Sequence, residues 1–171
     1  MGRPASRRIA ECVESGEANA TYRSRRSTAV ILKATLEPYM MNTKIDLHDS
    51  FVAEISKNGN EIAVHFRPAY LHKSEGRPGI DAGTGWVQDV RIFFADASIT
   101  GSTPPLPCSA WDGELVIGAE RNINLIPVPF ATMAHVEFWL TFITEDAVMI
   151  SGEGAQLEWL GEPRYVEEFN P

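Results

Sequence analysis

The residues able to do chemistry are concentrated in one stretch. His72, Lys73, Glu75, Arg77 and Asp81 fall between His72 and Gly85, and Trp86, Gln88 and Asp89 follow directly. Imidazole and carboxylate carry protons, and a guanidinium pairs with anions in a planar fork. Gly76, Gly79, Gly83 and Gly85, with Pro78, punctuate the same stretch. Glycines let backbone amides approach a ligand closely. One reading is a ligand-binding lip, with Trp86 as an aromatic platform and His72, Glu75, Arg77, Asp81 and Gln88 as polar anchors. The plainer reading is a connector with solvated charges and a core tryptophan. The run Asp81-Ala-Gly-Thr-Gly-Trp86 lacks Gly-x-x-x-x-Gly-Lys spacing, so it matches no phosphate-cradle fingerprint.

Other chemistries find less support. The histidines are His48, His65, His72 and His135. They lack the spacing of a ready metal site, and no metal or cofactor is expected. His48, His72 and Asp81 could meet only through the fold. No Gly-x-Ser-x-Gly elbow occurs. Ser151-Gly152 has no flanking motif, and Cys108 follows Pro107 in an expected loop. Paired carboxylates for glycoside hydrolysis arise by chance in so acidic a domain. The functional expectation is a non-enzymatic ligand- or protein-binding accessory module. The alternatives are a hydrolase using His72 with Glu75 or Asp81, and a structural homo-oligomer joined through the face that carries Trp139.

The elements that must hold these residues read as strands. Asn58-Gly59 lies between two alternating runs, Phe51 to Lys57 and Asn60 to Phe66. That is a hairpin signature, because both turn residues tolerate positive φ. The expected register sets Lys57 opposite Asn60, Ile55 opposite Ile62, Ala53 opposite Val64 and Phe51 opposite Phe66. Arg67-Pro68 then marks an edge, a bulge or a strand end. Trp86 to Phe94 alternates, with Trp86, Val90, Ile92 and Phe94 on one face. His135 to Thr144 alternates likewise, and Glu145-Asp146 turns it into a second hairpin with residues 147–160. Gly152 and Gly154 suggest a bulge or twist there. Tyr165 to Phe169 closes the set. Strands at short spacing with turns between them predict an all-β antiparallel sandwich or flattened barrel.

Length and charge bound the rest. A chain of 171 residues suits one domain, 40–171, preceded by an arm over 1–39. The arm holds seven Arg or Lys and four Glu, a net of +3, and the remainder carries −11. An acidic domain repels nucleic acid and anionic lipid. Any such partner would have to meet the arm, which reads more simply as a solvated tail. No apolar run approaches the roughly 20 residues of a membrane-spanning helix. Two distant cysteines, Cys12 and Cys108, fit reduced thiols and a cytoplasmic location.

Overall fold

The computed structural model describes residues 42–170. The arm expected over 1–39 lies outside the described residues, as does Cys12. The described chain is all-β, with no helix. Its strands are β1 (Asn42–Asp46), β2 (Phe51–Asn58), β3 (Glu61–Ser74), β4 (Gly83–Phe94), β5 (Ser98–Gly101) and β6 (Cys108–Ile117). They continue as β7 (Glu120–Ile123), β8 (Leu125–Val128), β9 (Ala131–Thr132), β10 (Val136–Phe142), β11 (Ala147–Gly152) and β12 (Ala155–Phe169).

All pairings are antiparallel, and together they make one sheet that does not close. Its main path runs β5-β11-β10-β6-β2-β3-β4-β12-β9, with β1 beside β3, β8 beside β1 and β7 beside β6. The strand β6 is where the sheet changes direction. Cys108 and Ser109 pair with β2, whereas Ala110 to Ile117 pair with β10. The two halves then bury their apolar faces against each other. Val64, Phe66, Val90, Ile92 and Phe94 come from one half, and Leu115, Phe138, Leu140 and Ile150 from the other, all fully buried. The rings of Phe94 and Phe138 stack with centroids 5.5 Å apart. The alternation expected for β4 and β10 is present, because each has one face in this core.

The first hairpin forms, with its turn moved by one residue. Asn58 pairs with Glu61, Lys57 with Ile62 and Ile55 with Val64, so Gly59 and Asn60 are the turn. Gly59 has φ +59°, and Asn60 is not among the positive-φ residues. A glycine alone at the first central position suits a II′ turn, whereas Asn58-Gly59 would need positive φ at both. The pairing moves by two residues, which leaves the faces of β2 as expected, and a bulge between Val52 and Glu54 then swaps them. Val52 then meets Phe66 and is fully buried, in place of the expected Phe51–Phe66 pair.

Three further expectations change. The connector is shorter than residues 72–85, because β3 runs through Ser74 and β4 begins at Gly83. Residues 147–160 are two strands in different places: β11 pairs with β10, and β12 crosses to pair with β4. Cys108 is buried at the start of β6 rather than exposed in a loop. Arg67-Pro68 does form a bulge, between Phe66 and Ala69.

Candidate functional site

The far end of β3 and β4 carries the residues singled out above, and strand geometry separates them. His72 pairs with Gly85, and Leu71 pairs with Trp86. Adjacent residues of a strand face opposite ways, so His72 and Trp86 lie on opposite faces of the sheet. Three local environments result.

The first is around His72, which is 6% exposed. Its Nε2 lies 3.2 Å from Asp46 Oδ2 on the neighbouring β1. The edges of Tyr70 and Phe169 meet its ring at centroid distances of 5.0 and 4.9 Å. Gly79 approaches both His72 and Leu125, so the β3–β4 connector lies over the ring. His72 Nδ1 is buried and has no hydrogen-bond partner. Asp46 Oδ1 accepts from the amide of His48 at 3.0 Å, which fixes the carboxylate's orientation. Tyr70 donates to Glu167 Oε1 at 2.8 Å. Burial, and next this hydrogen bond to a carboxylate, push the Tyr70 phenol well above its usual range.

His48 goes elsewhere. Its Nδ1 meets the carbonyl of Trp111, and its ring contacts the Trp111 indole at 4.9 Å. The three groups that could have met, His48, His72 and Asp81, therefore have separate partners. Asp46 was not singled out in the sequence. The only signal for it was its place in the polar run ahead of the first hairpin. Its partnership needs β1 to pair with β3, Lys44 opposite His72 and Asp46 opposite Tyr70.

The second environment is the connector, residues 75–82. Arg77 and Asp81 satisfy each other. Arg77 donates from Nε at 3.2 Å and from a terminal nitrogen at 3.1 Å, and its amide reaches Asp81 Oδ2 at 2.8 Å. These bonds hold the Asp81 carboxyl below its ordinary pKa and the Arg77 guanidinium above its own. Ser74 Oγ donates to Ala82 O at 2.8 Å and accepts from Gly76 at 3.0 Å, closing the base of the loop. Glu75 is exposed, and its carbonyl accepts from Asn42 Nδ2 at 3.4 Å.

The third lies on the opposite face and at the sheet's waist. Trp86 donates from Nε1 to Thr84 Oγ1 at 2.8 Å. The Lys73 ammonium sits 4.4 Å from its ring centroid, and Tyr165 meets it edge-on at 5.5 Å. The expected platform is thus already covered by a cation. Burial lowers the Lys73 pKa.

Gln88 is 4% exposed and donates to Gly161 O at 2.7 Å. Here the sheet opens. The bulge in β3 at Arg67-Pro68 and a second in β12 between Leu160 and Arg164 flank β4 on either side. Between them runs a groove of about 340 Å³, lined by Arg67, Gln88, Asp89, Gly161, Glu162 and Arg164 among others. Arg67 Nε lies 3.2 Å from Asp89 Oδ2. Of the expected anchors, only Gln88 lines this groove. Its β12 wall was unforeseen, although Gly161 and Pro163 interrupt an otherwise strand-like run.

Trp139 is 46% exposed on the outer face of β10. Met149 and Glu114 are its cross-strand neighbours, and Ile123 lies beyond Glu114. Among the described residues, no helix is long and apolar enough to cross a membrane. Compared with protein-family models, curated proteins and solved structures, the chain matches none.

Proposed function

We propose that this domain is a non-enzymatic binding module that seats a small polar ligand in the groove between the β3 and β12 bulges. The observation that carries this reading is the groove itself. At about 340 Å³ it falls within the size range of small-ligand sites. Its walls offer two guanidinium groups, two carboxylates and the Gln88 amide. That mixture suits a ligand bearing both an anionic group and hydrogen-bond donors. The acidic domain argues against nucleic acid as the occupant. A cytoplasmic location remains part of the proposal and rests on the two lone cysteines.

The test is a thermal-shift screen with small carboxylates, phosphates and amino acids. Compounds that raise the melting temperature of the wild type should lose that effect with Arg67→Ala. Arg67 is 68% exposed through its side chain, so the variant should fold normally. A panel without effect, or shifts that Arg67→Ala leaves intact, would refute the groove as the seat.

A hydrolytic reading draws on one observation, the Asp46–His72 pair, which has the orientation logic of a general base held by a carboxylate. His72 is enclosed under the connector, so that reading also needs the 75–82 loop to lift. Limited proteolysis within the loop, accelerated by a substrate, would support it.

A further inference from the structure

We infer that two copies of this chain pair edge to edge through the end of β12, extending the sheet across a two-fold axis. The end of β12 has a strand on one side only. Beyond Ala155 and Gln156, which pair with β9, its outer edge meets no strand among the described residues. Such an edge is a template for another strand. Pro163 lacks an amide hydrogen and limits any added ladder to Arg164–Phe169.

The occupant is set by charge and register. Arg164 pairs with Val87 and Glu167 with Gly85, and those two β4 residues share a face. Arg164 and Glu167 therefore also share a face, although three apart, because Val166 is the inserted residue of a bulge. An antiparallel pair of identical strands can set Arg164 of each copy opposite Glu167 of the other. The same register sets Tyr165 opposite Val166. Both are exposed, at 52% and 46%, and both would be covered. One patch is thus its own complement, as a two-fold interface requires. Glu167 Oε1 already accepts from Tyr70, which leaves Oε2 for the guanidinium. Arg164 also lines the groove, but the dimer is read by mass with no ligand present, and the inference places the second copy at an edge rather than on the Trp139 face.

The test is sedimentation equilibrium of the full chain over a concentration series, at about 0.15 M salt to screen the net charge of −8. The wild type should move from 18.9 kDa towards twice that mass. Arg164→Glu alone places two carboxylates opposite each other, and Glu167→Arg alone places two guanidiniums there. Each should remain monomeric. An equimolar mixture of the two variants restores both attractive pairs in one heterodimer and should regain the doubled mass. Circular dichroism checks that each variant folds. Should Glu167→Arg fail, Val166→Asp sets a carboxylate against Tyr165 and should abolish dimers by itself. A wild type that stays monomeric overturns the inference. So does a variant that still self-associates, a mixture that does not, or a dimer lost only with Trp139→Ala.

Discussion

The Tyr70 hydroxyl lies over the backbone of Gly85 and donates to Glu167 on the next strand at 2.8 Å. Three strands meet in this contact, since Tyr70 is on β3, Gly85 on β4 and Glu167 on β12. A Cβ at position 85 would collide with the hydroxyl and crowd Glu167. Gly85→Ala should therefore displace the phenol and cost about 1–3 kcal/mol, as overpacking does. Tyr70→Phe removes only the hydrogen bond and should cost about 0.5–1.5 kcal/mol. Because both act on the same contact, the double variant should be less destabilised than the sum. Urea unfolding of the four proteins checks this, and strict additivity would mean that the alanine strains something else.

The same contact predicts behaviour in alkali. The folded state holds the Tyr70 proton more tightly than the unfolded chain does. Its contribution to stability is whole below the ordinary phenol pKa of 10.0 and is lost as pH rises towards the higher folded value. Ultraviolet difference titration should show one tyrosine ionising later than its peers, and Tyr70→Phe should abolish that late step. A late step that survives the substitution would assign it to another tyrosine.

At the hairpin, the structure separates two neighbouring residues that look equivalent in sequence. Gly59 carries the positive φ, and Asn58 is an ordinary strand residue opposite Glu61. Gly59→Ala should cost about 1–2 kcal/mol, the penalty for a side chain in the left-handed region. No atom lies within 4 Å of the added methyl, so the cost is conformational rather than steric crowding. Asn58→Ala should be close to neutral. Equal losses from both, measured by thermal melting, would restore the Asn58-Gly59 turn.

That one-residue shift shows what was legible and what was not. Alternation located β2, β3, β4 and β10, because burial of one face imposes a period of two. It could not distinguish Asn58-Gly59 from Gly59-Asn60, since both dipeptides favour tight hairpins. Nor could it locate the bulge at Ala53, which answers to Val52 packing on Phe66 and pairing with Cys108. The candidate residues suffered from the same blindness to what is distant in sequence. Grouping His72 with Asp81 and Trp86 used proximity along the chain. The fold gives His72 a carboxylate 26 positions upstream and turns Trp86 to the other side of the sheet. Gln88 was found for its polarity, yet its role depends on Gly161, 73 residues away.

His65 offers a prediction in the acid range. It sits between Glu54 and Arg91 across the strands, and its Nε2 is buried without a hydrogen-bond partner. Burial is the main cause that lowers its pKa, and the Arg91 charge is next, with Arg67 adding to it. Asp89 and Glu54 act in the opposite sense and lose. The folded state thus favours the neutral ring. The stability this contributes is whole above the unfolded value of 6.5 and is lost as pH falls from there through the lowered folded pKa. In a proton NMR titration of the four histidines, His65 should titrate with a midpoint below 6.5. Arg91→Gln should raise that midpoint, because it removes the nearest cation and frees Glu158, which Arg91 holds at 3.6 Å. A His65 midpoint at or above 6.5 in the wild type would mean that the ring is solvated rather than enclosed by its sheet face.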